Sequence, residues 1–144
     1  LPNLLVPELV EAISRSQAPR LYICNLMTQP GETDGLDVSG HLRAIESQLA
    51  SIGVQQRLFD AVLAQDTLPS GPELDYYRAR GAEPVDCDLD GLKQQGYRVM
   101  LASMQGPQQR SEGRAFKGTL RHDSRSLALA VMRFYRAKQK RQIS

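Results

Sequence analysis

The residues best suited to chemistry fall in three stretches. The first is Met27-Thr28-Gln29-Pro30-Gly31-Glu32-Thr33-Asp34-Gly35-Leu36, which holds more polar groups than a connection between two elements requires. It leads into a helix start at Asp37 or Ser39, both good N-cap types. Exposed N–H groups and the positive end of a helix dipole suit an anion there, usually a phosphate. The plain alternative is an ordinary connection turning at Pro30-Gly31. Glu32, Asp34 and Asp37 raise the question of a divalent cation, but their spacing fits no EF-hand and lacks its closing bidentate Glu. The second stretch contains Tyr77, whose hydroxyl either packs with a wet end or meets a ligand. The third is Arg121-His122-Asp123, where a guanidinium beside a helix cap either forks onto a phosphate or pairs with a carboxylate. Nucleophilic chemistry with His122 and Asp123 would need a strained nucleophile turn that the chain does not contain. P-loop, dinucleotide and zinc-protease motifs are equally missing.

The elements that must position these residues follow from the hydrophobic pattern. Pro7 can open a helix with Val6, Leu9, Val10 and Ile13 on one face, stopped by Gln17-Ala18-Pro19. Residues 21–26 read as a buried strand, with Asn25 its odd polar member. A helix over 38–52 places Val38, Leu42, Ile45, Leu49 and Ile52 on one stripe, and Gly53 ends it. Residues 58–64 read as a second strand. Ser70-Gly71-Pro72-Glu73 has capping-box spacing for a short helix to Arg80. A short third strand is expected over 85–87, then a helix capped by Asp88 and ended by Gly96, and a fourth strand over 98–102. A Gly- and Gln-rich excursion over 103–120 precedes a last helix, capped by Asp123, with Leu127, Val131, Phe134 and Tyr135 inward. Strands alternating with helices imply a parallel sheet, and right-handed crossovers put every strand-to-helix connection along one edge. Those connections, over 25–36, 65–70 and 103–120, are long and polar, whereas the returns at Ala18, Gly53, Gly81 and Gly96 are tight. In open α/β sheets ligands bind at that edge.

Size and charge bound the reading further. A chain of 144 residues fits one domain with a real core. The net charge of +2, from 18 basic and 16 acidic residues, does not describe a general polyphosphate binder. Basic residues gather in a loop over 110–117 and in a run over 133–141. The run reads better as a solvated helix end than as a nucleic-acid surface, because Phe134 and Tyr135 suit the buried stripe better than base stacking. Cys24 and Cys87, lacking nearby Cys or His, read as reduced core residues and not as a zinc site. His41 reads as a surface or partly packed histidine. No apolar run approaches the roughly 18 residues of a membrane span and no signal peptide is visible, so the cytoplasm is the default.

The residues Ile23-Cys24-Asn25-Leu26-Met27-Thr28-Gln29-Pro30-Gly31-Glu32-Thr33-Asp34-Gly35, with Pro2-Asn3-Leu4-Leu5-Val6-Pro7 before them, resemble the gluconeogenesis factor family. The resemblance continues through Tyr77 with Gly81-Ala82-Glu83-Pro84-Val85 and at Arg121-His122-Asp123, so it covers nearly the whole chain. These proteins are similar to the 2-phospho-L-lactate transferases of deazaflavin cofactor synthesis. The resemblance implies that residues 1–144 form a single segment, the C-terminal half of a 2-phospho-L-lactate transferase-like domain. It implies an α/β fold, a Rossmann-like three-layer sandwich with a mostly parallel sheet, whose ligand cleft lies between a glycine-rich half and strand ends such as these. The gluconeogenesis factor branch binds UDP-activated amino sugars and is a regulator of cell shape and carbon use more than a catalyst. The resemblance accordingly assigns ligand-binding positions and no catalytic ones. Tyr77 and Arg121 match residues tied to sugar-nucleotide binding, and Asn25, Thr28, Gln29, Gly31 and Thr33 match the loop lining the same cleft. No cofactor is expected in this segment. The alternative, a metal-dependent transferase, would hold a divalent metal on an acidic loop of the preceding half. The expected partner is a UDP-sugar or related nucleotide, with neither nucleic acid nor membrane, and a homo-oligomer is compatible. Two departures from the family pattern are Gln65, where Asn is common, and a longer excursion over 103–120.

Overall fold

The structure, a computed structural model, describes residues 2–105 and 120–142. The expected basic loop over 110–117 and most of the excursion over 103–120 lie outside the described residues. After a 3-10 turn at Pro2–Leu5, helix α1 (Pro7–Arg15) opens with its proline in the first turn, where no N–H is missed. Strand β1 (Leu21–Ile23) is followed by α2 (Val38–Ser51), β2 (Ala61–Gln65), α3 (Pro72–Arg78), α4 (Leu89–Gln94), β3 (Arg98–Ala102) and α5 (Ser124–Gln142).

The strands pair in the order β1-β2-β3, all parallel, with Ile23 opposite Leu63 and Leu63 opposite Met100. Alternation along them splits the core into two layers. Tyr22, Val62, Ala64 and Val99 face Val38 and Leu42 of α2 and Leu92 of α4. Leu21, Ile23, Leu63, Met100 and Ala102 face Leu127 and Ala130 of α5. Helices therefore cover the sheet on both sides, giving the expected Rossmann-like three-layer arrangement. Val10 of α1 joins Ile45, Leu49 and Leu58 in a further cluster behind α2. Gly53 and Gly96, both with φ near +80°, end α2 and α4 as expected: Val54 N–H reaches the Leu49 carbonyl at 2.9 Å, and Tyr97 N–H reaches that of Leu92 at 2.9 Å.

Several expectations about elements need correction. The strand expected over 21–26 ends at Ile23, which leaves Asn25 outside it. Residues 85–87 are not a strand of the sheet. Pro84, which has no N–H to give, pairs instead as an isolated antiparallel bridge with Met27, and Val85 N–H bonds the Leu26 carbonyl at 3.1 Å. The strand expected over 58–64 begins only at Ala61, because Leu58 and Phe59 are taken into the helical layer. The capping box fails by one residue. Gly71 is the N-cap of α3 with no side-chain cap, which puts Glu73 at the second helical position and not the third. On α5, Phe134 is buried but Tyr135 is 42% exposed, its hydroxyl taking a bond from Gln139. The basic run does lie on this helix, and one of its members is structural: Lys138 pairs with Asp60 at 3.0 Å. His41, expected at the surface or partly packed, is buried with its Nδ1 3.0 Å from the Tyr22 hydroxyl. Cys24 and Cys87 are free thiols, as expected. No helix among the described residues is long and apolar enough to cross a membrane.

Candidate functional site

Parallel strands joined by helices send all three strand ends to one edge, and the chain that leaves them builds the site. Leaving β1, Leu26 and Met27 turn into the core while Asn25 stays exposed. Thr28 is then pinned to the segment after α3. Its N–H bonds the Glu83 carbonyl at 2.7 Å, and its hydroxyl accepts the Glu83 N–H at 2.9 Å. From Gln29 the loop closes on itself. Thr33 Oγ1 accepts the Gln29 N–H at 2.7 Å, Asp34 Oδ2 accepts the Gly31 N–H at 2.7 Å, and the Glu32 and Thr33 N–H groups return to the Gln29 carbonyl. Gly31 has φ +81°, a conformation strained for any residue with a Cβ.

This internal closure overturns the expectation of an anion at the head of α2. The Asp37 side chain already caps Gly40 N–H at 2.6 Å, and Val38 N–H is spent on the Asp86 carbonyl at 3.0 Å. A carboxylate thus sits where a phosphate was expected. Nor do Glu32, Asp34 and Asp37 converge as metal ligands. Among the described residues no group of three His, Cys, Asp or Glu side chains is placed to hold a metal ion. The acidic residues Asp34, Asp37, Glu83 and Asp86 instead wall a shallow cleft of about 440 Å³ beside the loop.

On the other side of Thr28 lies a cavity of about 290 Å³ that collects Asn25, Thr28, Gln29, Tyr77, Arg121 and His122. Five of the seven residues singled out from sequence meet here. Gly31 and Thr33 do not line it and act by shaping the loop. The segment bearing Arg121 is fastened from three directions. Leu120 N–H donates to the Tyr77 hydroxyl at 2.8 Å, His122 Nε2 lies 3.1 Å from the Cys24 carbonyl, and Asp123 N–H donates to the Met104 carbonyl at 2.5 Å. Asp123 then caps α5 through Ser126 N–H at 2.8 Å, and hydrogen bonding from Ser126, its side chain first and its N–H second, holds the Asp123 carboxyl below the usual range. His122, weighed from the sequence only for nucleophilic chemistry and set aside there, is a member of the site. Its partner is 98 positions away, and no local pattern signals such a contact. Gln65, the departure from the family pattern, accepts the Met104 N–H at 2.7 Å and so helps hold the same region.

The cavity is at the small end for a ligand site, roughly 300–1,000 Å³, and open, so it fits one wall of a cleft. A larger cavity of about 490 Å³ at the opposite edge has its charged groups committed. Arg57 donates to the Gln95 and Gly96 carbonyls and lies over the Tyr97 ring, while Glu46 accepts the Tyr97 hydroxyl at 2.6 Å.

Comparison with known proteins bears on the family and the fold. The model of the family described as 2-phospho-L-lactate transferase CofD matches residues 1–105. A putative gluconeogenesis factor of Nostoc sp. is 41% identical over 135 residues, 94% of this chain and 27% of its own length. One from Thermotoga maritima is 34% identical over 94% of this chain and 40% of its length, and the gluconeogenesis factor of Halalkalibacterium halodurans is 44% identical over 67% and 28%. A crystal structure of a Bacillus halodurans protein of the UPF0052 family superposes with a TM-score of 0.75 at 36% identity, covering 92% of this chain and 38% of that one. The chain thus spans between about a quarter and two fifths of the length of these relatives. With a family match over most of its length, the chain belongs to the 2-phospho-L-lactate transferase CofD family, alongside the gluconeogenesis factors.

Proposed function

We propose that this chain supplies one wall of a nucleotide-sugar site, for a UDP-activated amino sugar such as UDP-N-acetylglucosamine, in a cytoplasmic regulatory protein linking carbon use to cell shape. The observation that carries the reading is the convergence of Asn25, Gln29, Tyr77 and Arg121, from three separate segments, on one cavity at the ligand-binding edge of the sheet. Arg121 is the cation for the diphosphate, in place of the capped end of α2. Tyr77 and Asn25 offer hydrogen bonds to uridine or sugar. Neither a nucleic acid nor a membrane is part of this reading, and a homo-oligomer is compatible with it. Calorimetric titration of the full-length protein with UDP-N-acetylglucosamine tests it. Saturable heat is expected, and its absence at high ligand concentration overturns the proposal.

A second reading, a metal-dependent transferase joining a phospho-lactyl group to a deazaflavin, is favoured by the family match itself. It requires a metal held by residues outside those described, since these contain no three-ligand group. Deazaflavin binding followed by fluorescence, with and without divalent metal, separates it from the first.

A further inference from the structure

Tyr77, Arg121 and His122 are the titratable residues lining the candidate cavity, and of these only an imidazole ordinarily changes charge between about pH 5 and 8. The bond His122 makes fixes one of its protons. The Cys24 carbonyl can only accept, so Nε2, 3.1 Å away, must carry a hydrogen. Nδ1 is then the atom whose state can vary, a lone pair on the neutral ring and an N–H on the cation. It has no hydrogen-bond partner among the described residues and is not closed off from water. The surroundings leave an imidazolium there without a carboxylate of its own. None lines the cavity, and those nearest it are engaged: Asp123 with the α5 cap beside Arg125, Asp66 at the end of β2 with the Thr67 hydroxyl, and Glu83 with Arg78 at 2.9 Å. Burial pushes the Cys24 thiol up to about 12, so it stays neutral, and Gln105, which bridges His122 from the end of β3, has no charge. The charged neighbour of His122 along the cavity wall is therefore Arg121. Two cations side by side are favourable only against an anion.

We propose that His122 is a second diphosphate-contacting group of this site, which takes up a proton from solvent as the ligand binds and presents Nδ1–H to the phosphate oxygens beside Arg121. The inference rests on the nucleotide-sugar reading. Repulsion by Arg121 disfavours the cation in the empty site, and the two phosphate charges favour it in the filled one, so binding and protonation assist each other. Protonation at Nδ1 leaves the Nε2–H bond to Cys24 in place. The segment bearing Arg121 thus stays fastened while the charge it offers changes. A histidine with only the fastening role would leave affinity independent of pH. The diphosphate keeps both charges throughout this range, so a pH dependence of affinity reports on the protein.

The full-length protein and its His122→Gln variant are titrated calorimetrically with UDP-N-acetylglucosamine from about pH 5.5 to about 8.5 at constant ionic strength, in buffers of differing ionisation enthalpy. Wild-type affinity is expected to rise on the order of tenfold as pH falls across that range, the value of a charge-assisted hydrogen bond, with net proton uptake on binding near neutrality. Glutamine keeps an amide N–H for the Cys24 carbonyl and cannot titrate. His122→Gln is therefore expected to bind with a flat profile and no proton uptake, its shortfall greatest at the acid end. If it fails to fold, His122→Asn, equally unable to titrate, takes its place in the comparison. A flat wild-type profile, or a slope and proton uptake that the folded variant retains, overturns the His122 assignment and leaves the nucleotide-sugar reading standing. No saturable heat from the wild type at any pH overturns both.

Discussion

The Tyr77 hydroxyl accepts the Leu120 N–H at 2.8 Å, so deleting it does more than subtract a ligand contact. From sequence, Tyr77→Phe is expected to weaken binding and spare the fold. In the structure it also leaves a backbone donor without its partner and loosens the segment that carries Arg121, at a cost of about 1 kcal/mol. Urea unfolding of the full-length variant should report that loss together with weaker ligand binding, and unchanged stability would mean the hydroxyl serves the ligand alone. Arg121 gives a contrasting pattern. Arg121→Ala should reduce nucleotide-sugar affinity about ten- to a hundredfold, and Arg121→Lys should fall between, since an ammonium keeps the attraction without the fork. A lowered melting temperature with an unchanged dissociation constant would return Arg121 to the plain role of supporting the start of α5. His41 responds to pH. Burial holds it below its ordinary 6.5, against a smaller upward pull from Asp37. The neutral ring is the folded form, so its contribution is complete above about pH 6.5 and is lost as pH falls toward the lowered value. Replacing His41 with Gln should flatten the slope of stability against pH in that window, as read by unfolding at a series of pH values.

At the level of elements, what was legible in the sequence is what local chemistry decides. Gly53 and Gly96 announced two helix ends, Asp37, Asp88 and Asp123 announced three caps, and the contrast between long polar and tight connections located the edge of the sheet at which the candidate site lies. What was not legible depends on partners far away in the chain. Residues 85–87 have a strand's composition, yet Pro84 and the loop after β1 claim their hydrogen bonds before the sheet can. The N–H groups of residues 29–33 look available to a phosphate until Thr33 and Asp34 are seen to occupy two of them. Asp37 itself displaces the anion it was expected to accompany: a good N-cap residue and an anion site compete for the same donors. Asn25, Gln29, Tyr77 and Arg121 do come together, but the route is the resemblance, because nothing in their spacing alone says that positions 25, 77 and 121 are neighbours.

The whole molecule shows a sheet of three strands in which only β2 has neighbours on both sides among the described residues. Apolar side chains remain exposed on two flanks, Leu5, Val6 and Leu9 near the start and Leu129, Met132 and Tyr135 along α5. Open strand edges and bare apolar faces favour association. The segment expressed by itself is expected to self-associate and to melt without a sharp transition, by light scattering and calorimetry, and to bind nucleotide sugar poorly. A cooperative, monomeric melt at high concentration would contradict this.

The clamp at the end of β3 has a consequence for how the chain tolerates change. Gln105 pairs with His122 and Met104 with Asp123, so the chain leaves the described structure at Gln105 and re-enters it at Leu120 beside its point of departure. Bonds among the described residues hold both ends of that excursion. Closing a longer loop across fixed ends costs only about 0.6 kcal/mol for each doubling of its length. Insertions between positions 106 and 119 should therefore leave the placement of Arg121, and ligand affinity, nearly untouched. An affinity that falls in step with each added Gly-Ser pair would show instead that the intervening residues take part in the site.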